Sequence, residues 1–383
     1  MSVTAAEGFR AAGVAAGLKS SGLLDVALVV NDGPLRVGAG VFTGNRVKAA
    51  PVLWTQEVVG DRRVDAVVLN SGGANACTGP AGFQDTHATA EWVAMALGIS
   101  ASDVAVCSTG LIGERLPIDR LLAGVEAAVP LLSATGSDDA ARAIMTTDSV
   151  PKEAHAAGDG FVVGGMAKGA GMLAPGLATM LVVLTTDAQV SGDVLDSVLR
   201  QATATTFDRV DSDGCMSTND TVLLLASGAS GVAPTDVELL AVVKAVCADL
   251  AKQLIDDAEG STKSIAVTVS RAASVDDAVT VGRAVARSNL LKCALHGEDP
   301  NWGRVLSAVG TTSAAFEPER LAVALNGVWV CRDGAAADER SGVDLSGRDI
   351  AIVVDLGAGD AEATVWTNDL TAAYVHENSA YST

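Results

Sequence analysis

The chain has 383 residues, a length that suggests two or three domains, and 49% of them are hydrophobic against 19% charged. So much apolar material excludes native disorder. A net charge of −20, with pI near 4.5, argues against a nucleic-acid binder, whose affinity rests on clustered Lys and Arg. Aromatic residues at 3% leave no base-stacking platform. Small molecules are therefore the expected partners.

The amino terminus, MSVTAAEGFR, lacks the basic start and apolar block of a secretory signal. No apolar run reaches bilayer-spanning length, so a cytoplasmic protein with no membrane partner is expected. Short β-rich runs then alternate with helical patterns, which predicts a mixed α/β fold. Strands are expected at Leu24 to Val30, Val64 to Leu69, Val104 to Cys107, Met180 to Leu184, Val222 to Leu225, Ile265 to Val269, Leu321 to Leu325 and Ile350 to Val354. Several are apolar at consecutive positions, as strands covered on both faces are. A helix should start at Thr235, where Thr235 and Glu238 form a capping-box pattern after Pro234. Leu239, Val243, Val246, Leu250 and Leu254 give it one apolar face, and it should end near Gly260. Ser274 and Asp277 predict a second cap of the same kind.

The six cysteines (Cys77, Cys107, Cys215, Cys247, Cys293, Cys331) lie far apart with no C-x-x-C pair, and most are expected to be buried small hydrophobes. Charge is uneven: residues 1 to 178 carry 12 basic and 17 acidic side chains, whereas residues 179 to 383 carry 14 and 29.

The segment GGMAKGAGMLAPGLATMLVVLTTDA, residues 164 to 188, stands apart. Five glycines and a proline precede a strand, which suits a sharply turned peptide just before Thr179. A threonine hydroxyl is a weak nucleophile. If the peptide bond before it is cut, however, the new α-amine, with a reference pKa of roughly 7.7 to 8.0, becomes a built-in base. The hydroxyl could make the cut itself by attacking the Ala178 carbonyl, given a site that stabilises the oxyanion. Without more, Thr179 could equally begin a strand, as β-branched residues do.

The segments NSGGANACTG (70 to 79), STGLIGERLP (108 to 117), MTTD (145 to 148), GGMAKGAGM…ATML (164 to 181), DAEGSTK (257 to 263), DPNWGR (299 to 304) and ENSAYST (377 to 383) resemble the ornithine acetyltransferase, or ArgJ, family from end to end. The resemblance implies that Thr179 is the nucleophile, freed by self-cleavage between Ala178 and Thr179 into an α chain (1 to 178) and a β chain (179 to 383). It implies that Thr109 and Gly110 form the oxyanion hole, and that Thr146, Lys168, Thr179, Glu259, Asn378 and Thr383 bind substrate. The implied fold is an ArgJ/DmpA-like layered α/β sandwich with a smaller carboxyl-terminal α/β domain from about 262 to 383, assembled as an α2β2 heterotetramer.

The implied reaction is a ping-pong transfer of acetyl from N2-acetyl-L-ornithine to L-glutamate in arginine biosynthesis, without metal or cofactor. Whether acetyl-CoA is a second donor stays open. Gly73 and Gly176 depart from the family pattern, in which many members carry Asn.

Each assignment has a chemical sense. Lys168 offers a fixed charge to a carboxylate in a protein whose overall field repels anions, Glu259 could receive an ammonium group, and Asn378 and Thr383 could supply polar contacts from the tail. By residue type alone, Lys168 and Glu259 would be solvated surface charges. Thr109 and Gly110 would be a turn, and Thr146 a local cap.

Other chemistries lack support. There is no phosphate-binding G-x-x-x-x-G-K-[ST] loop and no strand-linked G-x-G-x-x-G. The DSDG at 211 to 214 places Met216 where a calcium loop needs glycine. The four histidines show no H-x-x-x-H pair, and there is no nucleophile elbow for a Ser-His-Asp triad. DPNWGR reads as a turn or contact rather than a site. NSGGANACTG could form a backbone nest for an anion or only a tight loop. A self-cleaving amidase or aminopeptidase, or a silent amino-acid-binding protein, remains the alternative.

Overall fold

A computed structural model describes residues 2–173 and 180–380. The described residues divide into two units, one drawn from those up to Asp208 together with Cys215–Leu254, the other from Arg209–Gly214 and the described residues from Ile255 onward.

The first unit contains β1 (Phe9–Val14), β2 (Val26–Asn31), β3 (Val37–Phe42), β4 (Ala66–Asn70), β5 (Val104–Ser108), β6 (Lys152–Ala157), β7 (Val162–Lys168), β8 (Leu181–Thr186) and β9 (Thr221–Ala226). They form a four-stranded sheet, β1-β2-β4-β5, and a five-stranded sheet, β3-β9-β8-β7-β6. Only β4 with β5 and β8 with β9 pair in parallel, Asn70 opposite Ser108 and Leu181 opposite Thr221. One core joins the sheets face to face: Val29, Val67, Leu69 and Ala105 pack with Met166, Leu181, Val183 and Leu223. Residues on the far face of the four-stranded sheet, Leu28, Val68 and Val106, pack with Val93 of helix Gly79–Leu97 and with Leu121 and Val125 of helix Ile118–Ala128. Both faces of these strands are thereby closed to water, which is why their sequences are continuously apolar. The layered α/β arrangement is the one expected.

The second unit carries β10 (Ser264–Ala272), β11 (Ala322–Leu325), β12 (Val328–Arg332), β13 (Ala335–Ala336), β14 (Asp349–Asp355) and β15 (Ala361–Asn368) in the order β13-β12-β11-β14-β10-β15. Its core sets Val267, Val269, Val323, Ile352 and Val354 against Val281 and Val285 of helix Val275–Ala286 and Val305 and Val309 of helix Trp302–Val309.

All eight expected strands are present, with ends within three residues of the expected ones. Both caps form: Glu238 N–H donates to Thr235 Oγ1 at 3.3 Å while Thr235 N–H donates to Glu238 Oε2 at 2.8 Å, and Asp277 N–H donates to Ser274 Oγ at 3.1 Å. The helix that Thr235 caps spans Asp236–Asp256.

One expectation, that most of the cysteines are buried, needs correction. The turn expected just before Thr179 lies outside the described residues, and Gly164 and Gly165, at the start of the glycine-rich segment, lie inside β7. A Cβ on Gly164 would stand 1.9 Å from the Ser2 carbonyl oxygen, and one on Gly165 would stand 2.6 Å from Leu184 Cδ2 and 3.2 Å from Leu250 Cδ1. These glycines allow close packing rather than a bend. Only three of the six cysteines, Cys107, Cys247 and Cys331, are buried.

Candidate active site

The candidate site begins where the parallel strands β4 and β5 end side by side, so the loops that follow them are zipped together. Thr109 N–H donates to the Asn70 carbonyl at 2.9 Å, Gly73 N–H to the Thr109 carbonyl at 3.0 Å, and Ala74 N–H to the Leu111 carbonyl at 3.0 Å. Gly110 has φ +127°, and a Cβ there would meet the Gly73 Cα and N at 2.9 Å. Only glycine fits that backbone and that approach. Among the described residues the Gly110 N–H has no acceptor, so a donor stands ready for an outside group. Gly73, one of the two departures from the family pattern, leaves its own Cβ position facing Leu116, with Cδ2 at 3.2 Å and Cγ at 3.9 Å.

Lys168, the last residue of β7, is 1% exposed, and its Nζ donates to Thr109 Oγ1 at 3.1 Å. An ammonium only donates, so Thr109 Oγ1 is the acceptor and its own proton stays available to a third group. Fifty-nine positions separate the two residues in sequence.

Behind Lys168 stands a carboxylate that sequence reasoning did not single out. Asp148 accepts Thr146 N–H at 2.9 Å, Gly169 N–H at 2.6 Å and Lys152 Nζ at 2.7 Å. The side chains of Asp148 and Lys152 are both 0% exposed. Burial pushes the Asp148 carboxyl up, but the charges of Lys168 and Lys152 together with the Lys152 and Thr146 hydrogen bonds prevail and hold it at about 2. Asp148 thus ties Thr146 and the Lys168–Gly169 turn to one point. Lys19 adds another cation; its Nζ donates to the carbonyls of Leu24 at 2.9 Å and Met145 at 2.7 Å, and burial lowers its pKa. Lys19, Lys152 and Lys168 thus gather around Asp148, with Asp25 also beside Lys19 and Asp220 facing Lys168, and this cluster of cations in an acidic protein is a condition for drawing in an anionic substrate. A signal for Asp148 was present in the sequence, as the fourth residue of MTTD, but nothing in that spacing reveals its partners.

Two further residues that sequence reasoning missed brace this site. Asn219 Nδ2 donates to the Ala74 carbonyl at 2.6 Å and the Ser108 carbonyl at 2.8 Å, clamping both loops. Asp220, fully buried, accepts Met180 N–H on Oδ1 at 3.1 Å, while Thr221 N–H donates to the Met180 carbonyl at 3.1 Å. Met180 is thus gripped by side chain and backbone together. Ala178, Thr179 and Thr383, and with them Gly176, lie outside the described residues.

In the second unit, Glu259 is 8% exposed and accepts Asn378 Nδ2 at 2.9 Å; the same amide donates to the Tyr374 carbonyl at 3.0 Å. The carboxyl-terminal helix Ala372–Ala380 positions Asn378. So Thr109, Gly110, Thr146 and Lys168 meet in one unit through direct bonds and Asp148, and Glu259 meets Asn378 in the other. Lys263 of DAEGSTK is occupied with the Leu345, Ser346 and Gly347 carbonyls and Glu298. In DPNWGR, Asn301 Nδ2 donates to Asp299 Oδ2 at 2.9 Å and Arg304 to the Leu290 carbonyl. Both motifs are engaged in local structure.

Among the described residues no group of three or more His, Cys, Asp and Glu is placed to hold a metal ion, and no helix is long and apolar enough to cross a membrane.

Comparison with known proteins joins these observations to a family. The sequence profile described as "ArgJ family" matches residues 10–383. The arginine biosynthesis bifunctional protein ArgJ of Streptomyces coelicolor is 67% identical over 382 residues, covering 100% of both chains. The protein of the same name from Mycobacterium tuberculosis is 60% identical, over 99% of this chain and 96% of that one. A solved chain of the M. tuberculosis ornithine acetyltransferase complexed with ornithine is 59% identical, covers 47% of this chain and 96% of its own, and has a TM-score of 0.43. With a match across nearly its whole length and close relatives of full coverage, the chain belongs to the ArgJ family and is an acyltransferase of arginine biosynthesis.

Proposed function

We propose that this enzyme is a glutamate N-acetyltransferase that moves acetyl from N2-acetyl-L-ornithine to L-glutamate through an acetyl ester on Thr179. The observation that carries the reading is the meeting of Thr109 Oγ1, the unspent Gly110 N–H and buried Lys168 at the carboxyl ends of a parallel strand pair.

The chain first cuts itself. Thr179 Oγ attacks the Ala178 carbonyl, the peptide becomes an ester, and water hydrolyses that ester, leaving the Ala178 carboxylate and the Thr179 α-amine. In transfer, the amine takes the Thr179 hydroxyl proton as Oγ attacks the acetyl carbonyl. The oxyanion accepts hydrogen bonds from the Thr109 hydroxyl and the Gly110 N–H. The intermediate collapses, the leaving ornithine nitrogen takes the proton back, and acetyl remains on Oγ. The glutamate amine then repeats these steps in reverse. Lys168 holds the substrate carboxylate, Thr146 lines it, Glu259 with Asn378 receives the ornithine ammonium, and Thr383 adds a polar contact. No step needs a metal or cofactor.

The relatives' description as bifunctional supports a second donor, acetyl-CoA. We also propose a cytoplasmic α2β2 assembly, which light scattering on the processed protein tests.

Intact mass spectrometry before and after acetylornithine is the decisive experiment. Two fragments divided between residues 178 and 179 are expected, with one acetyl added to the fragment that begins at Thr179. A single uncut chain that turns over, or acetyl on another residue, refutes the reading. Turnover with glutamate, with acetyl-CoA and with water alone separates transferase from amidase.

A further inference from the structure

Asp220 is a buried acid with half of its carboxyl unaccounted for. It is 0% exposed, and Oδ1 accepts the Met180 N–H at 3.1 Å. Its backbone carbonyl accepts Thr43 N–H at 3.0 Å. Oδ2 is also buried and has no hydrogen-bond partner among the described residues. The hydroxyls of Thr43 and Ser217 come near enough to favour the ionised form. Neither completes a bond to Oδ2: Thr43 Oγ1 gives its proton to the Ser217 carbonyl at 2.7 Å, while Ser217 Oγ, which accepts Asn219 N–H at 3.1 Å, keeps its own proton but is not placed to donate it there. Lys168 is the charged group that faces Asp220, yet burial outweighs it and pushes the carboxyl well above the usual range. An unsatisfied buried oxygen calls for a physical reason.

Connectivity supplies one. The Met180 nitrogen is bonded to the carbonyl carbon of residue 179, so the amine that cleavage would expose lies three covalent bonds from the atom Asp220 grips. We propose that Asp220 is the positioning residue of the nucleophile: Oδ1 anchors the peptide that follows Thr179, and Oδ2 takes the newly exposed amine as its partner. This rests on the reading of Thr179 as a self-liberated nucleophile.

The proton balance follows. In the uncut chain the residue 179 nitrogen is a neutral amide, and the buried Asp220 carboxyl keeps its proton. Cleavage turns that nitrogen into a neutral amine that donates an N–H to Oδ2, and the carboxyl gives its proton up to solvent, so the amine lone pair stays free to act as base. When Thr179 Oγ–H gives its proton to the amine, the O–H bond breaks, an N–H bond forms, and the oxygen electron pair bonds the acetyl carbon. The resulting ammonium donates to Oδ2 while the oxyanion exists.

Asp220→Asn tests this directly. The amide oxygen can still accept Met180 N–H, but Nδ2 offers a donor where an acceptor is needed. The variant should be processed, keep KM for acetylornithine within about twofold, and lose at least about tenfold in kcat, a fall of tenfold corresponding to about 1.4 kcal/mol. A kcat within twofold of wild type overturns the proposal. Should the variant fail to fold or to cut, infrared difference spectroscopy between processed wild type and uncut Thr179→Ala decides instead. Loss of a protonated-carboxyl band on processing is expected, and an unchanged band overturns the proposal. Acetyl found on Thr179 beside a fully active Asp220→Asn sinks the role of Asp220 alone, whereas acetyl on another residue sinks the Thr179 reading with it.

Discussion

Replacing Asp148 by Asn probes the electrostatic hub behind the candidate site. The substitution keeps the shape and one acceptor oxygen but removes the charge that sits among Lys152, Lys168 and Lys19. Holding a carboxyl at about 2 instead of its ordinary 3.8 is worth about 2 kcal/mol of folding free energy. Stranding the fully buried Lys152 ammonium without its partner raises the expected cost, since breaking a buried pair from one side costs about 3–5 kcal/mol. Asn keeps one of the backbone hydrogen bonds, so a loss of about 3 kcal/mol at neutral pH is expected. The sign with pH is fixed by the depressed carboxyl: its stabilisation is complete above the unfolded value of 3.8 and is lost as pH falls from there through about 2. Urea melts of wild type and variant at pH 7 and near pH 3 measure both effects, and the gap between the two proteins should narrow at the lower pH. Because Asp148 also fixes Thr146 and the Lys168–Gly169 turn, KM for acetylornithine should rise about tenfold, equivalent to about 1.4 kcal/mol. A variant as stable as wild type at pH 7, with unchanged KM, would refute the hub.

Gly110→Ala forces a Cβ to 2.9 Å from the Gly73 backbone at a positive φ, so the peptide must turn and carry its N–H away. Losing one oxyanion donor typically costs about 10²–10³ in kcat; steady-state kinetics giving less than tenfold would remove Gly110 from the proposed site. Asp211, lifted to about 6 by burial despite Arg287 beside it, predicts the opposite pH trend in the second unit. With the folded value raised, no penalty exists below 3.8, and one of about 3 kcal/mol grows as pH rises from 3.8 through about 6. Asp211→Asn should flatten that decline in thermal melts, and an unaltered profile would show that Asp211 is not its source. Ser274→Ala removes the cap of helix Val275–Ala286 and should lower stability by about 1 kcal/mol in chemical denaturation, with no change in kcat; an activity loss would mean the helix has a role beyond packing.

What was legible in the sequence was everything carried by neighbours along the chain. Several of the eight strands could be read because short runs of consecutive apolar side chains suit a strand covered on both faces, as in β2, β4, β5, β8 and β9. Helix Asp236–Asp256 could be read because a capping box and an apolar stripe are local signals. The family could be read because its motifs are contiguous words.

Seven of the described strands escaped. Phe9–Val14 and Val162–Lys168 are rich in Ala and Gly, whose fitness for a sheet lies in what approaches them, as Ser2 approaches Gly164. Lys168 shows the limit most clearly. As a residue type it belongs on the surface, and only the pairing of β7 in one sheet and the end of β5 in another brings its ammonium to Thr109, with Asp148 to neutralise part of the cost of burial. Asn219 and Asp220 likewise gain their meaning from partners that strand register places beside them. Chain order alone determined which chemical groups were present and which short segments would fold. Tertiary structure decided which of those groups lost water and met one another, because a charge changes its chemistry when it is buried, and burial is set by contacts far away in sequence.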